Sequence, residues 1–309
     1  MIHARSLDAI LLKSSWLTVG VFDGVHRGHQ QVVGRLTSGA HSLGVPAAVV
    51  TFWPHPATIL GGGKLRCLTT PDERAALLSS LGVDAVLTYP FDAETANTSA
   101  KDFVTRLHGQ LDFKRLLVGY DFALGKGREG GAGRLAEIGR QLGYEVESVP
   151  ALSDESGVIS STEIRKLVST GDLAAAAALL GRPYALHGPV IRGDARGRDL
   201  GYPTANIDVP PEKILPLNGI YACRATIGAQ AYRAAVNIGV RPQFHPDAQT
   251  PLVEAHILDL HQDLYGLDVR LEFMHRLRDE MRFPSVDDLI GQIARDVVRT
   301  RELLDDPAP

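Results

Sequence analysis

Apolar residues follow two different rhythms along this chain of 309 residues. Up to about residue 180, short β-type runs alternate with stretches of helical periodicity. The runs are WLTVGVF (16–22), AAVVTF (47–52), DAVLTY (84–89), RLLVGY (115–120) and YEVESV (144–149). Between them, HQQVVGRLTSGAHSL, PDERAALLSSL, AKDFVTRLHGQL and GRLAEIGRQLG place apolar residues at helical spacing, and Gly143 stands as a C-cap. Strand–helix–strand repetition predicts a Rossmann-like parallel sheet flanked by helices. DLAAAAALL (172–180), between Gly171 and Gly181, predicts one more helix.

Beyond RPY (182–184) the helical period is lost for about 100 residues. ALHGPVIRG, TANIDV, IYACRATI, AYRAAVNIG, LVEAHILDL and DVRLEFMHRL are alternating or β-branched, with a tight turn expected at IGAQ (227–230). Such segments without long helices predict a small antiparallel β-barrel. A final helix, SVDDLIGQIARDVVRTRELL, ends the pattern. The expected domains are therefore 1–182 and 183–309.

Composition narrows the function classes. A hydrophobic share of 44% supports a substantial core, and a net charge of -4 does not point to nucleic acid or membrane surfaces. Cys67 and Cys223 form no metal-ligand spacing. The patch AILL (9–12), cut by Lys13, is too short for a signal-peptide core. No apolar run approaches the ~20 residues that span a bilayer, so a cytoplasmic protein is expected.

GVFDGVHRGHQ (20–30) ends the first strand and opens the first helix. A turn there lies at the strands' carboxyl ends, where open α/β sheets bind ligands. The helix start offers unpaired N–H groups and a positive dipole end, which suit phosphate. His26 and His29 share one face of that first turn. Each can donate a ring N–H to a phosphate oxygen, while Gly24 and Gly28 permit close backbone approach. Incidental surface histidines are the plainer alternative, and the position after a strand favours a site.

Three further stretches carry candidate chemistry. ISSTEIR (159–165) sets Ser160, Ser161 and Thr162 ahead of a helix, with Arg165 as a bidentate phosphate fork. Alone, such hydroxyls read more readily as an N-cap. GYDFALGKGREGG (119–131) alone reads as a solvated turn. GDARGRDLGYPTAN (193–206) sets Gly193, Gly197 and Gly201 around Arg196 and Arg198, ahead of Pro203, Thr204 and Asn206. A flexible glycine loop can wrap a polyphosphate with its amides. The alternative is a β-turn with charged tips.

TVGVFDGVHRGH (18–29), ISSTEIR and GRDLGYPTAN together resemble the signatures of the prokaryotic bifunctional riboflavin kinase/FAD synthetase family. The likeness extends to Gly119, Asp121 and Phe122, to TFWPHP (51–56), VNIGVRPQF (236–244), Glu254 and RLRDEMRF (276–283). It departs at Trp53, where an acidic residue is common, at Leu124, a second aromatic in the family, and at Gln243, a threonine there. Matched segments run from about residue 17 to residue 296.

The resemblance implies a nucleotidyltransferase-like first domain and a riboflavin kinase-like barrel. It implies that ATP phosphorylates riboflavin to FMN, and that FMN is then adenylylated to FAD with release of pyrophosphate. Around the adenylylation site it places His26 and His29 as catalytic donors, with Gly24, Gly28, Asp121, Ser160, Ser161, Thr162 and Arg165 on ATP. Around the kinase site it places Gly193, Gly197, Arg198, Gly201, Thr204 and Asn206 on ATP. Thr204 and Asn206 also serve Mg²⁺, and Glu254 is the catalytic base. Phe52, Pro54 and Arg278 are placed beside the flavin. Mg²⁺ is the expected cofactor, ATP a co-substrate, and no tightly bound prosthetic group is required. The expected partners are riboflavin, FMN and ATP, without nucleic acid or membrane, in a monomer or weak homo-oligomer. The rivals are a transferase acting on another phosphorylated alcohol, and a non-catalytic flavin regulator.

Overall fold

The computed structural model describes residues 1–154, 157–193, 196–239 and 252–304. It falls into two compact units, Met1–Ser161 and Thr162–Pro309. Gln243, one of the family departures, lies outside the described residues.

The first unit is built on strands β1 (Ile2–Ala4), β2 (Trp16–Val19), β3 (Ala47–Trp53), β4 (Ala85–Pro90), β5 (Arg115–Gly119) and β6 (Glu145–Val149). They form one parallel sheet in the order β1-β4-β3-β2-β5-β6. Helices α1 (Arg27–Ser42), α2 (Pro71–Ser80), α3 (Ala100–Leu111) and α4 (Ala132–Leu142) cover it. Successive side chains of a strand face opposite ways, so each strand feeds two cores. Leu17, Val50, Leu116 and Val118 pack with Phe103, Leu107, Leu135 and Ile138. Val49 and Leu117 pack on the other side with Val33, Leu36, Ala75 and Leu78. Helices α3 and α4 thus cover one face, and α1 and α2 the other.

Local signals set the helix ends. Thr70 and Glu73 close a capping box ahead of α2, with Pro71 in its first turn. Gly143 ends α4 at a φ of 83°. Strand β1 was not foreseen: three residues at a sheet edge, with Ile2 exposed, are too few to show an alternation.

The sheet order matters for function. From β2 the chain builds outward through β3 and β4, then returns to place β5 on the other side of β2. That reversal opens a crevice at the carboxyl ends of β2 and β5, the usual ligand position in such sheets.

The second unit begins with helices α5 (Ser161–Thr170, whose first residue belongs to the first unit) and α6 (Leu173–Leu180). Six strands follow: β7 (Tyr184–Ile191), β8 (Ala205–Ile207), β9 (Gly219–Ile227), β10 (Gln230–Gly239), β11 (Leu252–Ile257) and β12 (Asp268–Arg278). They close an antiparallel barrel in the order β7-β8-β11-β10-β9-β12. The expected turn is present, pairing Ile227 with Gln230 around Gly228 at a φ of 59°. Leu186, Tyr221, Val236, Ala255 and Phe273 fill the interior. Helix α7 (Val286–Leu304) packs on β9, β10 and β12, and α6 packs on β7 and β12. That packing carries α6 into the barrel unit, so the division falls ahead of the break near 182 in the apolar pattern. Among the described residues no helix is long and apolar enough to cross a membrane.

Candidate active sites

Strain marks the link from β2 to α1. Phe22, Gly24 and Val25 all take positive φ, at 51°, 80° and 42°. For Phe22 and Val25 this costs about 1–3 kcal/mol each, so the surroundings must impose it. They do so through a buried charge. The Asp23 carboxylate, 1% exposed, accepts the backbone N–H groups of Leu68 at 2.9 Å and Thr69 at 3.1 Å. The Thr69 hydroxyl also donates to Asp23, and accepts the Gly24 N–H at 3.0 Å. Behind them the fully buried Arg74 guanidinium lies 3.8 Å from Asp23 and donates to Thr51 Oγ1 at 2.9 Å and the Phe52 carbonyl at 3.2 Å. Burial lowers the Arg74 pKa, and the Asp23 carboxylate opposes that shift.

The loop thus held presents the two histidines. His26, buried, is the N-cap of α1, its Nδ1 accepting the His29 backbone N–H at 3.4 Å. With Nδ1 an acceptor, the neutral ring carries its proton on Nε2, which is then a donor. A Cβ on Gly28 would lie 3.2 Å from His26 Cε1, so glycine makes room for that ring. The two imidazoles stack with centroids 3.6 Å apart, and Phe22 stands edge-on to His29 at 5.1 Å. Burial, then His26, then Arg74 push the His29 pKa well below its ordinary value. Two imidazolium charges that close would repel by about 4 kcal/mol at an effective dielectric of 20. His29 is therefore held neutral, and the two rings are not protonated together.

The second signature meets the first within the same unit. Ser161 Oγ donates to the Asp23 carbonyl at 2.8 Å, and the Ile159 carbonyl lies 3.9 Å from a Cβ built on Gly28. Ser160 is half-buried beside them in sequence. Thr162 and Arg165 belong to the second unit, where Arg165 donates to Thr162 Oγ1 at 3.2 Å.

Parallel register brings two more expected segments to the same sheet edge, because β3 and β5 flank β2. After β5, Asp121 is exposed, and its carbonyl accepts from Arg128 at 2.8 Å. Leu124 is buried in the core, so that departure from the family is a packing change and not a lost stacking platform. After β3, Pro54 is exposed and Trp53 half-buried, whereas the Phe52 ring packs edge-on to Phe91 at 5.5 Å in the core. Strand alternation turns the Phe52 ring inward, so any part it plays beside the flavin is through the backbone and the turn that follows it.

In the barrel, pairing aligns Asn206 on β8 with Glu254 on β11, and Glu254 with Asn237 on β10. Their strand neighbours Ala205, Ile207, Val253, Ala255, Val236 and Ile238 are buried, so this row faces outward. Asn237 Nδ2 donates to Glu254 Oε2 at 3.4 Å. The glycine loop closes on the same row. A Cβ on Gly193 would fall 2.3 Å from Asn206 Nδ2, and one on Gly197 would fall 2.4 Å from the Tyr202 carbonyl and 3.1 Å from Thr204 Oγ1. Gly201 takes a φ of 82° in the turn, and Arg198 is exposed. Thr204 hydroxyl, Asn206 amide and Glu254 carboxylate are hard oxygen donors, a set that fits Mg²⁺ sharing its shell with phosphates and water.

Arg278 is a tether. Its Nε donates to Asp296 Oδ1 at 3.1 Å and Oδ2 at 3.0 Å, its Nη2 to Oδ2 at 2.6 Å, and its Nη1 to the Asp279 carbonyl at 2.9 Å. All three nitrogens are engaged, and they bind α7 to β12.

Known proteins match both halves of the chain. A FAD synthetase family model matches residues 10–163, and a riboflavin kinase model matches residues 180–304. A bifunctional riboflavin kinase/FMN adenylyltransferase of Escherichia coli strain K12 is 37% identical over 289 residues, covering 93% of this chain and 91% of that protein. The chain belongs to the bifunctional riboflavin kinase/FMN adenylyltransferase family. A Bacillus subtilis riboflavin kinase/FMN adenylyltransferase is 34% identical over 286 residues, covering 91% of this chain and 90% of its own. A solved structure described as a macrolide-efflux protein from Streptococcus pneumoniae superposes with a TM-score of 0.86 at 32% identity, covering 97% of this chain and 98% of that one.

As a riboflavin kinase/FMN adenylyltransferase family member, the chain carries site residues that sequence reasoning passed over. Asp23 was hidden by its position between the histidines' motif and the strand. Arg74 sits in a helical stretch, PDERAALLSSL, where nothing in the pattern sets its charge apart. Asn237 lay in a matched segment, but nothing in the sequence tied it to Glu254.

Proposed function

We propose that this chain phosphorylates riboflavin to FMN with ATP, then adenylylates FMN to FAD, residues 1–182 serving the second reaction and 183–309 the first. The single observation that carries the proposal is that models of both activities match one chain, over 10–163 and 180–304. The barrel would be idle in a transferase acting on some other phosphorylated alcohol.

In the kinase step the riboflavin 5′-oxygen attacks the γ-phosphorus, the bond to the β–γ bridging oxygen breaks, and ADP leaves. Glu254 accepts the hydroxyl proton, a contribution of about 10²–10⁴ in rate. Thr204 and Asn206 would hold Mg²⁺, which when bound neutralises phosphate charge. The rest is positioning by the glycine loop, on which phosphoryl transfer mainly depends. Gly193, Gly197 and Gly201 keep that loop close, and Arg198 offers it a charge.

In the adenylylation step a phosphate oxygen of FMN attacks the α-phosphorus, the bond to the α–β bridging oxygen breaks, and pyrophosphate leaves. The nucleophile is already anionic, so no base is needed. His26 Nε2–H and the His29 ring serve as donors to oxygens that gain charge, each typically worth about 3 kcal/mol. Gly24 and Gly28 open the backbone to the phosphates, and Asp121, Ser160 and Ser161 complete the ATP side. Pro54 lines the flavin side of this site through its exposed turn, and Arg278 belongs to the flavin side of the kinase site. The enzyme works on riboflavin, FMN and ATP as a monomer or weak homo-oligomer.

Purified protein given riboflavin, ATP and Mg²⁺, with flavins separated over time, tests this. FMN followed by FAD is expected. FMN alone would remove the adenylyltransferase half, and unchanged riboflavin would remove the kinase.

A further inference from the structure

The PTAN turn is gripped from two sides, and only one grip belongs to the glycine loop. On that side, the Tyr202 N–H donates to the Gly197 carbonyl at 2.8 Å, and Gly197 lies against Tyr202 and Thr204. The other side is the barrel wall. There His256 Nδ1 lies 2.8 Å from the Pro203 carbonyl, and its ring meets Tyr202 edge-on with centroids 5.5 Å apart. His256 sits two residues along β11 from Glu254, on the same outward face. The register Ala205↔Ala255 carries Thr204 and His256 to the next rung.

Resting on the kinase assignment above, we propose that His256 is a positioning residue of the kinase site, fixing the Pro203–Thr204 turn through an Nδ1–H···O=C bond. A carbonyl only accepts, so the proton must be on Nδ1. Both the neutral Nδ1–H tautomer and the imidazolium supply it. Proline contributes no N–H of its own here, so its carbonyl is the one backbone handle by which the turn can be held at that residue. Without the bond, Thr204 keeps its chemistry and loses its placement. Substitution should therefore act on MgATP capture in riboflavin phosphorylation and leave the adenylylation of supplied FMN untouched.

Three variants separate donor from bulk. Asparagine places its Nδ2 the same number of bonds from Cα as histidine Nδ1, glutamine places its amide one bond farther, and alanine has no donor. In steady-state riboflavin phosphorylation, His256→Ala and His256→Gln should raise the KM for MgATP about tenfold, the scale of one ordinary hydrogen bond. The kcat should change less, and His256→Asn should stay within about twofold of wild type. FMN adenylylation by the same preparations serves as the control. Equal activity of all variants and wild type would overturn the proposal. So would an asparagine variant no better than alanine, since ring packing and not the donor would then matter. An inactive wild-type kinase would instead overturn the kinase assignment itself.

Discussion

Glu254 is half-buried on an outward barrel face, paired with Asn206 and Asn237 in the β-ladder, where a carboxylate can meet a substrate hydroxyl. Glu254→Gln keeps the shape and removes the proton acceptor. It should lower the rate of FMN formation from riboflavin by about 10²–10⁴, with adenylylation of supplied FMN unchanged in the same assay. Loss of both activities in a folded protein would contradict separate sites. His29 carries a different expectation, about stability. Its folded pKa is depressed by burial, so below the ordinary histidine value the unfolded chain takes up a proton that the fold excludes. Stability on this account is full above about pH 6.5 and falls as pH drops below it, by at most about 1.4 kcal/mol per pH unit. His3 and His108 are depressed too, also chiefly by burial, so the wild-type slope contains them. Melting curves of wild type and His29→Gln between about pH 7 and pH 5 isolate the His29 share, and a flatter acid slope is expected for the variant. At this scale the sequence exposed the groups proposed to meet ligand and hid those that hold them. His26 and His29 stand in a readable motif, whereas the Asp23–Arg74 pair needs two segments to be folded together before it has a meaning.

Elements were legible where a period had room to repeat. Every five- to seven-residue run of the parallel sheet and each long amphipathic stretch has its counterpart in β2–β6 and α1–α4, and the six alternating segments became the barrel. What escaped was short or contextual: the edge strand β1, the helix Pro56–Gly61, and the fate of α6, which packs on β7 and β12 despite its helical kinship with the first unit. Arg278 shows the same limit. Its position in a matched segment implies a place beside the flavin, and nothing in the sequence announces the partner on α7 that engages its nitrogens. Asp296 and Arg278 are 9% and 17% exposed in their side chains, so breaking the pair leaves a charge poorly solvated. Asp296→Leu or Arg278→Met should cost about 3–5 kcal/mol, and the double variant Arg278→Met with Asp296→Leu clearly less than the sum. Denaturant unfolding of the four proteins measures that coupling. Additive losses would mean that the contact does not hold the helix to the barrel.

The whole molecule unites two reactions, with two ATP-cleaving sites in separate matched regions and a product of one serving as substrate of the other. The residues proposed for the two chemical steps are separate: Glu254, Thr204 and Asn206 lie on the barrel, and His26 and His29 lie within Met1–Ser161. Two damaged molecules should therefore restore the sequence of reactions between them. A mixture of Glu254→Gln and His29→Ala proteins, given riboflavin, ATP and Mg²⁺, should make FAD although neither alone does. FMN from the His29→Ala kinase must leave that molecule and cross solution to an intact adenylyltransferase. The FAD trace should accordingly begin with a lag that shortens as total protein rises, while the wild-type trace shortens in proportion to enzyme alone. No FAD, with FMN held at no more than one equivalent of the His29→Ala chain while the Glu254→Gln protein converts supplied FMN normally, would mean that the intermediate never leaves the chain that made it, and the two units would have to be treated as one catalyst.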